Sequence, residues 1–174
     1  MRTAIFLLLI QCCFGAFDTL WYHEFRLRLP HDTTAQKELR LHASRDFAYA
    51  VIVSSVAWLS WNGSWSWALI GLLLAEVFIT LWDFIQEDRT RKVPPGERVM
   101  HALMGIAYGA FLAYLLPEVI AWSKLPTGFM QKSYGVWSWA LTAMAVGVFL
   151  SGIRDLMASI PRSVESKYFQ RERA

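Results

Sequence analysis

The chain has 174 residues, 55% of them hydrophobic, with nine tryptophans and a mean hydropathy of +0.31, a make-up unlike that of an average soluble domain. The net charge of +3 is small and the basic residues are scattered among apolar runs, which argues against nucleic acid as a partner. Cys12 and Cys13 are the only cysteines; adjacent in an apolar run, they lack the spacing of a zinc site and are poorly placed to bridge each other.

Apolar segments at roughly 3 to 25, 43 to 61, 65 to 86, 98 to 122 and 134 to 157 approach the ~20 residues that a bilayer-crossing helix needs. They predict an all-α, polytopic membrane bundle of about five transmembrane helices over residues 1–160, followed by a basic cytoplasmic tail over 161–174. The first segment, Arg2 followed by AIFLLLIQCCFGA, also reads as a signal peptide ending at Ala16. Charge decides for a span. With segment 1 crossing, one face collects most of the basic residues, including Arg26, Arg40, Arg45, Arg91, Arg98 and Arg154, while the other keeps only Arg2, Lys124 and Lys132. The positive-inside rule then puts the N-terminus outside, the C-terminus and most loops in the cytoplasm, and the protein in an inner or plasma membrane. Trp58, Trp61, Trp65, Trp67, Trp122, Trp137 and Trp139 all fall at the outer face, as an interfacial belt does. Asn62-Gly63-Ser64 predicts a turn there. Gly105, Gly109 and Ala113, and likewise Ala143, Gly147 and Ser151, form small-residue stripes expected to bring helices together.

The hairpin from Glu76 to His101 carries charges where a membrane span should carry none. Glu76, Asp83 and Glu87 lie seven and four apart, on one helical stripe; Pro94, Pro95 and Gly96 turn the chain; Glu97 and His101 then follow four apart. Glu38, His42 and Asp46 form another stripe, and Asp18, His23 and Glu24 end segment 1 at the same face. His31 sits in the Pro30 to Thr34 turn and is expected to be solvated. Acids near helix ends are ordinary when paired with neighbouring arginines, and Asp46 and Asp155 have such neighbours in Arg45 and Arg154, so Asp155 is left out of the site.

Carboxylate and imidazole together suit iron, manganese and zinc, and a helical bundle can point them inward around two metals. His23, Glu38, His42, Asp83, Glu87, Glu97 and His101 are the expected ligands. The set resembles in kind the carboxylate and histidine sites of ferritin-like di-iron proteins and the histidine-rich sites of membrane lipid desaturases and hydroxylases. It departs from the first in using Glu-x-x-x-His in place of Glu-x-x-His, and from the second in lacking multiple histidine boxes. Haem is disfavoured, because a porphyrin wants an apolar slot and these histidines stand among acids. Counting along straight helices, Asp18 lies about 7.5 Å inside His23 and Glu76 about 10 Å inside Asp83. Both are expected to form an inner layer serving catalysis by proton transfer, with Tyr108 level with Glu76. The expected function is an oxidoreductase or hydrolase acting on a lipid-soluble small molecule. The rival expectations are a proton, ion or solute transport component that uses the intramembrane acids, and an assembly subunit with a membrane-protein partner or a second copy of itself. Nucleotide-binding loops, nucleophile elbows and zinc-protease signatures do not occur in the sequence.

Overall fold

Apolar runs of this length satisfy their own backbone hydrogen bonds only as helices. In the computed structural model, which describes residues 1–32 and 34–160, they do so in five long helices and one short ribbon. α1 spans Arg2–Phe17 and runs directly into a π-helical stretch, Asp18–Arg26; α2 spans Gln36–Trp58, α3 Ser64–Thr90, α4 Pro95–Trp122 and α5 Val136–Ala158. Between them, β1 (Leu59–Asn62) pairs antiparallel with β2 (Gly128–Gln131), Leu59 opposite Gln131 and Asn62 opposite Gly128. The basic tail, 161–174, lies outside the described residues.

Four helical stretches, Arg2–Arg26, Ser64–Thr90, Pro95–Trp122 and Val136–Ala158, are long and apolar enough to cross a membrane. α2, the fifth expected span, falls short of that measure: it is as long as α5, but Lys37, Glu38, Arg40, Arg45 and Asp46 occupy its first half. It also ends earlier than expected, at Trp58, because Leu59 to Asn62 leave the helix to pair with β2.

α1 packs on α4, and α2 on α5 and α3. Ile5, Leu8, Ile52, Val56, Phe111, Leu115 and Leu141 make a core towards one end of the bundle. Seven of the nine tryptophans gather at that end, all but Trp21 and Trp82. Trp61 meets Phe129 across the ribbon at 5.2 Å, Trp65 stacks on Phe129, and Trp58 donates to Thr142 Oγ1 at 2.8 Å. Gly63 turns the chain from β1 into α3 with φ +60°, and a Cβ there would strike the Thr127 backbone. Glu118, an isolated acid at this end, pairs with the Met1 amino group at 2.5 Å.

The small-residue stripes do not pack as expected. A Cβ built on Gly105, Gly109 or Gly147 would meet nothing within 4 Å. The glycine that brings helices together is Gly152, where a Cβ would sit 3.0 Å from the Phe47 ring and 3.1 Å from Asp46 Cβ, so its absence lets α5 close on α2.

Candidate metal centre

At the end opposite the tryptophans, α2, α3, α4 and the π-helical stretch turn titratable side chains towards one another. The i, i+4 spacing stacks Glu38 under His42, Asp83 under Glu87 and Glu97 under His101, each pair on the inner face of its helix. The contribution of α1 depends on the π-helix. In an α-helix, residues five apart diverge by well over a right angle; with i→i+5 bonding, as in the 2.8 Å bond from Leu27 N to Tyr22 O, they lie nearly one above the other. Asp18 and His23 therefore enter the same cluster, their Oδ2 and Nε2 atoms 3.4 Å apart.

The burial is nearly complete. Asp18, Glu38, Asp83, Glu87, Glu97 and Asp155 are each at most 2% exposed, as are His23 and His42, and His101 is 8% exposed. Two groups could each hold a metal ion: His23, Glu87, Glu97 and His101, and Glu38, His42 and Glu87, with one ligand atom per residue and all such atoms of a group within 4.8 Å of one another. Glu87 belongs to both. Its Oε1 lies 3.7 Å from His42 Nε2 and its Oε2 lies 3.5 Å from His101 Nδ1, so the one carboxylate reaches both halves. The His23 and His42 rings stack at 4.6 Å, and Phe84 stacks on His101 at 4.8 Å, which fixes all three imidazole planes.

Proximity has not become hydrogen bonding. His42 Nε2 lies 3.1 Å from Asp83 Oδ2, and His23 Nε2 and His101 Nε2 each 3.4 Å from Asp18 Oδ2. Even so, among the described residues these three nitrogens, Glu87 Oε1, Asp18 Oδ1 and Asp83 Oδ1 are buried without an aligned partner. Unmade bonds on buried polar atoms cost about 1–3 kcal/mol each, so six in one place call for a partner of another kind.

Charge leads to the same requirement. Arg91 reaches in from the turn before α4. It donates to Glu38 Oε1 from Nε and Nη2, at 3.0 and 2.9 Å, and to both Glu97 oxygens at 2.7 and 3.0 Å. Burial would lower the Arg91 pKa, but hydrogen bonds to Glu97 and Glu38 outweigh it and hold the guanidinium above its ordinary value, permanently charged. Arg45 pairs with Asp83 at 3.1 Å; Arg154 pairs with Asp155 at 2.7 Å and also with Glu24, drawing Glu24 away from the cluster. Three guanidiniums thus pair closely with five carboxylates, Glu38, Asp83, Glu97, Asp155 and Glu24, and among the described residues Asp18 pairs with none of them. The six buried carboxylates of the cluster outnumber the guanidiniums, and a divalent cation held by neutral histidines could supply missing positive charge. Each Glu97 oxygen held by Arg91 keeps a second lone pair for a metal, whereas Glu38 Oε1 accepts two bonds and leaves its Oε2 for that role.

Asp155, set aside in the sequence, is buried with its Oδ2 3.8 Å from His42 Nδ1, on the side of the ring away from Glu87. The gap is longer than a hydrogen bond, but this is the side from which a carboxylate would orient the imidazole if His42 held a metal. Asp155→Asn is expected to lower metal affinity about 10–100-fold with little change in fold, read by competition with a chelating dye. His31 is exposed, as expected for a loop residue. Tyr22 seals the floor of the turn: a Cβ on Gly96 would collide with its hydroxyl. Gly96→Ala should push aside the residue next to His23 and destabilise the protein by about 1–3 kcal/mol, measured by thermal unfolding in detergent.

Glu76 stands apart, 1% exposed, its Oε1 accepting from Thr80 Oγ1 at 2.7 Å and its Oε2 unpartnered among the described residues. It borders a cavity of about 680 Å³ that also meets Asp18, Arg45, Tyr49, Phe84 and Tyr108. Asp18, expected beside Glu76, instead joins the histidines while still facing this cavity.

The structure therefore defines an all-helical bundle, four of its helices fit to cross a membrane, with a buried carboxylate and histidine cluster at one end. Comparisons with protein-family models, with curated proteins and with solved structures find no match.

Proposed function

We propose that the protein is an integral membrane metalloprotein whose buried cluster holds two metal ions bridged by Glu87, with His23, Glu97 and His101 on one ion and Glu38 and His42 on the other. Asp83 and Asp18 complete or orient the two shells. The observation that carries this reading is the sharing of Glu87 between two convergent ligand groups whose histidine Nε2 atoms are buried and, among the described residues, without an aligned hydrogen-bond partner. The donors are oxygen and imidazole nitrogen, the set suited to iron, manganese or zinc. The adjoining cavity is mostly apolar, which supports a lipid-soluble substrate. Iron or manganese would make the protein an oxidoreductase; zinc would make it a hydrolase, with one of the cluster's acids as general base to a metal-activated water. Because the cluster shares its end of the bundle with Arg45, Arg89, Arg91 and Arg98, the positive-inside rule puts it at the cytoplasmic leaflet, in a five-span arrangement in which α2 crosses shielded by α3 and α5.

Metal analysis of detergent-extracted protein is the test. About two equivalents of a first-row metal are expected after reconstitution; less than about a tenth of an equivalent would overturn the reading. A transport component built on the same acids would instead show pH-dependent flux in liposomes that Glu76→Gln abolishes and His101→Ala leaves intact.

A further inference from the structure

The metal cluster leaves unexplained a second set of buried polar groups, about two helical turns further into the bundle. Gln11 of α1 donates from Nε2 to the Tyr49 hydroxyl at 3.2 Å, and its Oε1 has no partner among the described residues. Glu76 Oε2 and the Tyr108 hydroxyl lie beside each other but, among the described residues, neither has an aligned hydrogen bond. Gln11, Glu76 and Tyr108 are 6%, 1% and 8% exposed, and all three line the 680 Å³ cavity. Tyr108 is held in place by ring contacts to Tyr49 and Phe111, both at 5.6 Å.

The rest of the lining is mainly hydrocarbon and glycine, with Asp18, Arg45, Asp46 and Arg154 the charged residues among it. Leu20, Leu81 and Leu150, each more than half exposed, mark where the cavity reaches the bundle surface. Gly105, Gly109 and Gly147, the glycines that pack against nothing, lie along it as well. A bulky residue at any of the three would occupy the space that the glycines leave open. The volume falls in the range of sites that enclose a small molecule.

We infer that this cavity binds an uncharged lipid bearing a hydroxyl group, with the hydroxyl among Gln11, Glu76 and Tyr108 and the chain among the glycines and leucines. A hydroxyl both donates and accepts. It can give its proton to Glu76 Oε2 or Gln11 Oε1 while accepting from Tyr108, so one ligand group satisfies buried atoms of both kinds. A fatty acid would set a second carboxylate beside Glu76 while the lining arginines are already paired, Arg45 with Asp83 and Arg154 with Asp155 and Glu24; an alkylammonium has no lone pair to accept from Tyr108; and an alkane would leave every polar atom unpaired. The assignment of this lipid as the substrate rests on the metal-centre reading; its binding does not.

Photolabelling with hexadecanol carrying a diazirine tests the inference on the full chain in detergent, with metal counted in the same samples. Labels are expected on α3 and α4 peptides around Leu81 and Gly109. Unlabelled hexadecanol should compete at least about tenfold better than hexadecane, hexadecanoic acid or hexadecylamine, since unpaired buried acceptors are costly. Tyr108→Phe should weaken labelling several-fold, and Gly109→Leu, which a free Cβ position admits without a clash, should abolish it while leaving metal content unchanged. Equal competition by hexadecane, or undiminished labelling of Gly109→Leu, would overturn the inference. So would a Gly109→Leu protein that keeps its label but changes oligomeric mass, because the glycine stripe would then belong to a second copy of the chain. Labelling without bound metal would sink the metal centre and leave the lipid site standing, and two equivalents of metal without labelling would do the reverse.

Discussion

Replacing Glu87 with Gln is expected to empty both metal positions at once, from about two equivalents to less than about half of one, whereas His101→Ala should remove one equivalent and retain much of the other. The asymmetry follows from position. Glu87 alone belongs to both ligand groups, with one oxygen towards His42 and the other towards His101, while His101 belongs to one group. An amide offers one neutral oxygen where two metals need a bridging anion. The same substitution should make the metal-free protein more stable, because it removes one of the buried carboxylate charges that outnumber the guanidiniums of the cluster. Wild type and variant should therefore exchange rank: with metal at about a thousand times its dissociation constant the wild type gains about 4 kcal/mol from binding, and with a chelator present it falls below the variant. Thermal unfolding in both conditions checks this. Stability that ranks the same with and without chelator would mean that the cluster is an ion-pair network and not a metal site.

The parts of this site that could be read in the sequence are those governed by α-helical periodicity. Glu38 with His42, Asp83 with Glu87 and Glu97 with His101 needed only the four-residue repeat, and Pro94-Pro95-Gly96 marked the turn that sets α4 facing α3. What escaped was governed by departures from that period or by distant packing. Asp18 was counted along a straight helix and so placed beside Glu76; the i→i+5 register of Asp18–Arg26 returns it to the histidines. Asp155 was discounted because Arg154 is its neighbour, yet a carboxylate can pair with the next residue and still face His42, and only the packing of α5 on α2 reveals the second contact. The glycine stripes carry the pattern of helix packing, but packing needs an opposing surface, and Gly105, Gly109 and Gly147 have none. The ribbon of β1 and β2 pairs residues about seventy positions apart in two runs of four, too short to show a two-residue period.

Arg91 illustrates the same limit with the largest consequence for folding. In the sequence, one basic residue in a turn counts only towards the charge balance between the two membrane faces. In the structure it forks between Glu38 and Glu97 and approaches Glu87 Oε1 at 3.4 Å, tying α2 to the start of α4 through a side chain only 15% exposed. Arg91→Met should thus be among the most destabilising single changes in the bundle, about 3–5 kcal/mol, because it leaves two fully buried carboxylates without their counter-ion. Lysine should rescue it poorly: an ammonium is a point charge and cannot span two carboxylates as a planar fork does. The double variant Arg91→Met with Glu38→Gln removes the charge together with its partner and should recover a substantial part of the loss, giving a coupling energy in a double-mutant cycle. Divalent metal should recover part of it as well, since the cations that Glu97 and Glu38 would each help to hold supply charge that the arginine no longer does. A single-variant loss below about 0.5 kcal/mol, or strictly additive effects in the cycle, would show that water reaches these carboxylates and that the cluster is not the closed compartment described above.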